Sequence, residues 1–205
     1  LYRFSPTRYV GFVEHFYPDT PRVEPWEDSV EEITRQLTEL EHNRVFQRVL
    51  SVLMQVREVE ELKQIQIGDV KAWVSIDVLV GDESGGFTII DWKTGKAHTD
   101  DSVSAQLGVY ALYVLKTYLP GVPEAEGLAR INTLFANLRR GEHKVWTLTV
   151  EDLDRTRRLI RTSADAMRTR LDDIGSNSAS IERFPQISEG SKECGYCRFR
   201  GTCGR

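Results

Sequence analysis

Two residues of this sequence stand out for the chemistry they could perform, an aspartate and a lysine separated by one position. Asp91 and Lys93 flank Trp92 in a stretch whose apolar residues alternate, a pattern typical of a β-strand. Side chains two positions apart on a strand point to the same side, so a carboxylate and an ammonium lie together by geometry alone. Such a pair is more often a surface salt bridge than a reactive site. The surrounding residues must therefore show whether Asp91 and Lys93 form a reactive site or a surface salt bridge.

A second carboxylate, Asp77, lies on the preceding predicted strand. The run from Ile65 to Val80 alternates with period two, and the Gly-rich segment 81–86 predicts a hairpin to a strand that starts at Phe87. Across this hairpin Asp77 comes within one residue of register with Asp91. Burial of an unpaired carboxylate in such an apolar run is costly, which favours a partner such as a metal. The alternative is an exposed Asp77 at the end of a strand.

Two carboxylates beside a lysine suit the metal-assisted hydrolysis of a phosphodiester. Carboxylate oxygens bind Mg²⁺ or Mn²⁺, and a bound ion polarises the phosphoryl oxygen and lowers the pKa of the attacking water. The reaction also needs a cation near the attacking water, and the lysine can supply it. We therefore predict that Asp77, Asp91 and Lys93 form a hydrolytic site that needs Mg²⁺ or Mn²⁺.

Helices and a second hairpin are predicted around these strands. Ser29 and Glu32 form a capping-box pattern before an apolar stripe that changes phase near Asn43 and runs on to Val56, with His42 on the inward side. Another helix is capped by Asp101 or Ser102 and ends at Pro120 and Gly121. Residues 130–138 and 143–150 predict a hairpin, and Thr149 then starts a long helix.

The composition predicts one domain that spans residues 1–205. A chain of 205 residues that is 40% hydrophobic can bury a full core. It has no signal-peptide pattern and no apolar run of about eighteen residues, so we expect a cytoplasmic, intracellular protein with no membrane partner. Since the chain starts with Leu, it could be part of a larger polypeptide.

The net charge of −4 opposes a nucleic-acid partner only weakly, because bound metals neutralise an acidic site. Basic residues cluster locally, at Arg139 and Arg140, at 155–161, and at Arg198 and Arg200. The cluster at 155–161 could equally be the solvated face of a helix.

All three cysteines, Cys194, Cys197 and Cys203, lie near the C-terminal end. Clustered thiolates in an intracellular protein favour a metal over disulfides, and an odd number cannot pair completely. We therefore predict that the segment 184–205 is a metal-binding tail, with unligated thiols as the alternative.

Three segments together resemble the RecB-type branch of the PD-(D/E)xK nuclease superfamily, which includes the CRISPR-associated iron–sulfur exonucleases. They are Ile76-Asp77, the run Ile-Ile-Asp-Trp-Lys-Thr-Gly at 89–95, and the run Gln-Leu-Gly-Val-Tyr at 106–110. They occur in the family's order over most of the chain. The resemblance implies an α/β restriction-endonuclease-like core, with a mixed central sheet flanked by helices and a metal-stapled C-terminal tail.

The resemblance also assigns roles to the residues at 77 and 91–93. Asp77 and Asp91 would bind the catalytic metal, and the backbone carbonyl of Trp92 would add a ligand. Lys93 would position or activate the attacking water.

Two further positions follow from the same resemblance. Gln106 and Tyr110, on one face of a helix, match a Q-x-x-x-Y motif that helps to place the substrate. His42 is the candidate for a histidine metal ligand on an early helix, with Glu39 or Glu41 as alternatives.

In the iron–sulfur members, three C-terminal cysteines and one near the N-terminus hold a [4Fe–4S] cluster. The N-terminal cysteine is absent here, and its expected place falls near His15, which is the candidate fourth ligand. Three cysteines and a histidine also suit Zn²⁺, and the fourth ligand could lie outside this chain.

The implied function is a metal-dependent DNA nuclease, an exonuclease that acts on single-stranded DNA or DNA ends. The implied pathways are recombination, repair or CRISPR adaptation, with a helicase, recombination or CRISPR protein as partner. One alternative is the nuclease domain of a larger helicase–nuclease, whose P-loop would lie outside this chain. The other is a DNA-binding module with an inactive site, which the intact Asp77, Asp91 and Lys93 oppose.

Overall fold

The computed structural model describes residues 26–42, 47, 51, 55–93, 100–184 and 191. The chain divides into two compact units, one of Thr34–Thr169 and one that combines Leu1–Ile33 with Arg170–Arg205. The strands and the predicted site residues from Asp77 to Tyr110 belong to the first unit. The expectation of one domain over residues 1–205 stays a prediction.

The larger unit is built on a mixed sheet. Its chain forms β1 (Val56–Val59), β2 (Leu62–Ile67), β3 (Val70–Ser75), β4 (Val78–Gly81), β5 (Phe87–Lys93), β6 (Ile131–Asn137) and β7 (Glu142–Trp146). Five strands form the central sheet in the order β1-β4-β5-β6-β7, while β2 and β3 pair separately. The β5–β6 pair is parallel and the other neighbours are antiparallel. This confirms the predicted mixed central sheet.

Four α-helices have both ends within the described residues: α1 (Trp26–His42), α2 (Asp100–Tyr118), α3 (Glu124–Leu128) and α4 (Val150–Arg168), followed by a short 3₁₀ helix at Ile181–Arg183. On one face of the sheet, Leu107 of α2 and Leu153 of α4 share a core with Ile89. On the other face, Leu40 of α1 packs against Ala136. Each fully buried side chain of this size contributes about 1.5–3 kcal/mol. The sheet is thus flanked by helices, as predicted.

The single strand predicted from Ile65 to Val80 is wrong in its extent. The chain turns back at the tip between β2 and β3, where Gly68 adopts φ 60°, and β4 starts only at Val78. Alternation with period two holds within β2 and within β3, but its phase shifts between Ile67 and Val70, where the chain turns. The Gly68-Asp69 pair was the turn signal that the sequence offered.

The helix predicted from Ser29 starts earlier, at Trp26, and most of its apolar stripe is exposed. The side chains of Val30, Ile33 and Leu37 are 42%, 57% and 58% exposed. His42 is exposed and not inward, and Val56 belongs to β1 rather than to a continued helix. Helical periodicity shows that a stripe exists, but what covers it depends on distant parts of the chain.

The hairpin predicted over residues 130–150 and the helix predicted from Thr149 are confirmed. β6 and β7 form the expected hairpin, although β7 ends at Trp146. Thr149 caps α4, accepting from the backbone N–H of Asp152 while the Asp152 carboxylate accepts from the backbone N–H of Thr149. In the part of the chain that the structure describes, no helix is long and apolar enough to cross a membrane.

Candidate active site

The β4–β5 hairpin brings Asp77 beside Asp91. Val78 pairs with Ile90 in antiparallel register, so the next position outward sets Asp77 opposite Asp91. The backbone N–H of Trp92 donates a hydrogen bond to Asp77 Oδ2 at 2.8 Å. The backbone of β5 therefore fixes the orientation of the Asp77 carboxylate, which lies directly before β4.

Asp91 is buried, with 1% of its surface exposed. Lys93 Nζ lies 2.8 Å from each of its carboxylate oxygens, while the Lys93 side chain keeps 19% exposure. A charge-assisted bond of this kind is stronger than one between neutral groups. Because the carboxylate is buried, the pair is not the exposed salt bridge that was the alternative for Asp91 and Lys93.

Helix α2 adds an amide and a phenol to the two carboxylates. Gln106 Nε2 donates to Asp91 Oδ1 at 2.9 Å and to the Tyr110 hydroxyl at 2.7 Å, so both of its amide protons are used. Burial raises the pKa of Tyr110, and the negative charges of Asp91 and Asp77 raise it further, against an opposing hydrogen bond from Gln106. Tyr110 is therefore protonated at neutral pH and can donate a hydrogen bond.

Asn137 is a buried polar residue at this site that sequence reasoning missed. It pairs with Lys93 in the parallel β5–β6 ladder and is 4% exposed. Its Oδ1 accepts from the backbone N–H of Arg140 at 3.1 Å, which fixes the start of the β6–β7 turn. The signal in the sequence was a polar residue at the end of an apolar strand, close to Arg139 and Arg140.

Asp77 and Asp91 fit a hard divalent cation. Both supply carboxylate oxygens, and the partial exposure of Lys93 shows that solvent reaches this edge of the sheet. Mg²⁺ and Mn²⁺ prefer oxygen ligands, and Mg²⁺ commonly keeps several waters beside one or two carboxylates.

The structure does not bring His42 into this cluster. His42 is exposed, and its Nδ1 lies 2.9 Å from the carbonyl oxygen of Thr38. Among the described residues, no three His, Cys, Asp or Glu side chains are grouped closely enough to hold a metal. Of the two alternatives, Glu41 is exposed and Glu39 is half-buried.

Several predicted residues lie outside the described part of the chain. These are His15, Thr94, Gly95, Cys194, Cys197 and Cys203. The metal-binding tail and its fourth ligand therefore remain predictions.

No curated protein shows significant similarity to this chain. Residues 6–204, by contrast, match the PD-(D/E)XK nuclease superfamily, a span that includes every site residue described above. Nucleases of this superfamily act on DNA and generally use divalent metals such as Mg²⁺, which agrees with the donor chemistry of Asp77 and Asp91. With a mixed α/β core and with Asp91 and Lys93 on one strand beside Asp77, the chain belongs to the PD-(D/E)XK nuclease superfamily.

Proposed function

We propose that the chain is a DNA exonuclease of the RecB-type branch that acts on single-stranded DNA or DNA ends. The main support is the buried Asp91, which is opposite Asp77 and bonded by both Lys93 and Gln106. A buried carboxylate held by a cation and an amide has a fixed orientation, which a catalytic metal site requires.

Asp77, Asp91 and the backbone carbonyl of Trp92 would hold Mg²⁺ or Mn²⁺. A bound ion supplies a Lewis acid for the phosphoryl oxygen and a water of lowered pKa. Lys93 would place its ammonium near the attacking water, where negative charge develops.

Gln106 and Tyr110 would place the DNA. Gln106 holds Asp91 Oδ1 and the Tyr110 hydroxyl together, and the protonated hydroxyl can donate to a phosphate oxygen of the substrate. Tyr110 thus acts as a positioning residue that depends on Gln106.

His42 would complete the metal ligands, with Glu39 or Glu41 as alternatives. The support is Leu40, which packs in the same cluster as Trp92 and lies two residues before His42. A change in the last turn of α1 on metal binding would be required to bring His42 to the carboxylates.

The C-terminal tail would hold a [4Fe–4S] cluster through Cys194, Cys197 and Cys203, with His15 as the fourth ligand and Zn²⁺ as the alternative metal. The clustering of three thiols supports this. Protein purified without oxygen should then be brown and contain iron and sulfide, whereas zinc would leave it colourless. Unmodified thiols without any bound metal would exclude both.

The pathways that we propose are recombination, repair or CRISPR adaptation, with a helicase, recombination or CRISPR protein as partner. The three motifs of the RecB-type branch support this. A nuclease domain within a larger helicase–nuclease remains the second candidate. A DNA-binding module with an inactive site is opposed by the bonded Asp91, Lys93 and Gln106.

Cleavage of matched linear and circular DNA, each single- and double-stranded, tests the proposed activity. With Mg²⁺ or Mn²⁺ the linear substrates should be degraded and the circles should resist, while EDTA or Asp91→Asn should abolish degradation. Glu83→Gln, an exposed change in the β4–β5 turn, is the matched control. Cleavage of the circles would contradict an exonuclease, and binding without cleavage by the wild-type chain would favour the inactive module.

A further inference from the structure

A cavity of about 480 Å³ opens at the far end of α2 from Gln106. It lies between the β2–β3 tip, the last turns of α2, the start of α3 and the middle of α4. Lys116, on its wall, follows Gln106 by ten residues, or about 15 Å along the helix, so the cavity is separate from the candidate active site. Its volume is in the range of small-molecule sites.

The cavity has an apolar floor. Six aliphatic side chains contribute to it: Ile65, Ile67, Leu112, Leu115, Leu119 and Val122. Such a floor binds the apolar body of a ligand and offers no bond to a small inorganic ion.

Three basic residues, Lys116, Arg157 and Arg161, line the same cavity. Arg157 is bonded to Glu124, which also lines the cavity, and to Asp154. Its charge is therefore largely neutralised within the protein.

Lys116 and Arg161, in contrast, have hydrogen-bond donors to spare. Lys116 Nζ uses one donor on the carbonyl oxygen of Gln66, at 2.9 Å, and an ammonium has three. Arg161 makes no hydrogen bond or ion pair with the part of the chain that the structure describes, and nearby Asp69 is held by Arg168 at 2.7 Å. Two exposed cations with unused donors thus face one apolar cavity.

We propose that this cavity binds a nucleoside monophosphate, with its base and sugar on the aliphatic floor and its phosphate between Lys116 and Arg161. A phosphate offers several acceptor oxygens, which match the fork of an Arg and the point charge of a Lys. The ligand is either a free mononucleotide or the phosphorylated end of a DNA strand. This site stands apart from the proposed function and does not depend on it.

Calorimetric titration of the whole chain in EDTA tests the cavity with four probes: thymidine monophosphate, thymidine, inorganic phosphate and a 5′-phosphorylated oligothymidylate. Thymidine monophosphate should bind one site per chain, at least about tenfold more tightly than thymidine or phosphate, because each of these lacks one half of the contacts. Equal binding of the oligonucleotide, weakened by Arg161→Gln, would identify the strand end as the ligand. Failure of the oligonucleotide to bind would identify the free nucleotide.

Lys116→Met and Arg161→Gln should each weaken thymidine monophosphate binding by about tenfold or more. Both residues are exposed, so the melting temperature should be unchanged. Arg158→Gln, exposed on the same helix but outside the cavity, should have no effect. Asp91→Asn should also bind normally, which separates this site from the candidate active site.

The following results would overturn the proposal that this cavity binds a nucleoside monophosphate. They are equal losses in Arg158→Gln and Arg161→Gln, binding of inorganic phosphate as tight as that of the nucleotide, and loss of binding in Asp91→Asn. No binding of thymidine monophosphate at low millimolar concentration would overturn it as well.

Discussion

The backbone N–H of Trp92 donates to Asp77 Oδ2 at 2.8 Å, so the strand that carries Asp91 also orients Asp77. Asp77 lies between β3 and β4, where the chain passes from one sheet to the other. A hydrogen bond to a charged group contributes about 1.5–3 kcal/mol and restricts the rotation of the side chain. The direction of this carboxylate therefore depends on the backbone of a neighbouring strand.

Asp77→Asn should show whether cleavage requires the negative charge of Asp77 or only its position. The amide oxygen can still accept from Trp92, so the melting temperature should stay near that of the wild type, while Mg²⁺- or Mn²⁺-dependent cleavage should be lost. Asp77→Ala should lose cleavage and about 1.5–3 kcal/mol of stability as well. Cleavage rates and thermal unfolding measure both effects, with Glu83→Gln as control. An Asn variant that cuts at the wild-type rate would mean that Asp77 does not bind the metal.

Lys93→Ala should lower the single-turnover cleavage rate by about 10²–10⁴-fold, because the cation beside the attacking water is removed. Binding of Mn²⁺ should be retained, since the ammonium that competes for Asp91 is gone. Calorimetric titration with Mn²⁺ measures metal binding separately from the cleavage rate. Lys71→Ala, exposed on β3, should change neither. Loss of Mn²⁺ binding in Lys93→Ala would show that the lysine maintains the site rather than assisting the reaction.

Gln106→Leu should lower the free energy of unfolding by about 1–3 kcal/mol, because buried Asp91 loses one of its donors. Tyr110→Phe removes a single acceptor and should cost about 0.5–1.5 kcal/mol. If Tyr110 positions DNA, the Phe variant should raise KM more than it lowers kcat. Denaturant unfolding and steady-state rates test this, with Ser104→Ala on α2 as control. Unchanged KM would remove Tyr110 from substrate placement.

Gly108→Ala should destabilise the contact between α2 and α4. A β-carbon at Gly108 would lie 2.2 Å from Thr156 Oγ1 and 3.1 Å from Thr156 Cβ. Overpacking of this kind costs about 1–3 kcal/mol, which exceeds the gain of about 0.5–1 kcal/mol from replacing Gly in a helix. Adding Thr156→Ala should restore part of the stability, since the closest atom is removed. A Gly108→Ala variant more stable than the wild type would contradict this close approach.

Stability should fall at high pH because of Tyr113 and Tyr118, whose hydroxyls both donate to Glu58 Oε1. Burial, the hydrogen bond to Glu58 and its charge raise the pKa of Tyr118 to about 12, against the opposing charge of Arg57. The same three causes raise the pKa of Tyr113. In the unfolded chain a tyrosine has a pKa of about 10.

Because the folded pKa is the higher one, this contribution to stability is complete below about pH 10 and is lost as the pH rises towards 12. Melting temperatures across this range, with phenolate absorbance, measure the loss. Tyr118→Phe should show a shallower decline. Glu58→Gln should lower the pH at which the phenolate appears, since the negative charge is gone. An identical alkaline decline in wild type and Tyr118→Phe would rule out this cause.

The parts of the fold that the sequence predicts are those specified by neighbours along the chain. The β4–β5 hairpin follows from its Gly-rich turn, α4 follows from the Thr149 cap, and both side chains of the Q-x-x-x-Y motif lie on one face of α2. The bond between Glu58 and Tyr118 was not predictable in this way, because 60 positions separate the two residues. The covering of α1 likewise depends on distant residues, which explains why its apolar stripe did not predict that Val30, Ile33 and Leu37 are exposed.

In the sequence, the β2–β3 hairpin is inserted between β1 and β4, two strands that pair directly with each other. The backbone N–H of Glu60 closes it by bonding to the carbonyl oxygens of Ile76 and Asp77, at 2.9 and 3.2 Å. Residues added at the Gly68–Asp69 tip would lengthen a loop whose closure entropy grows only slowly. One residue added between Asp77 and Val78 would instead turn Asp77 to the opposite face. The length of this hairpin can therefore diverge in related chains without disturbing the site, provided that Asp77 stays directly before β4.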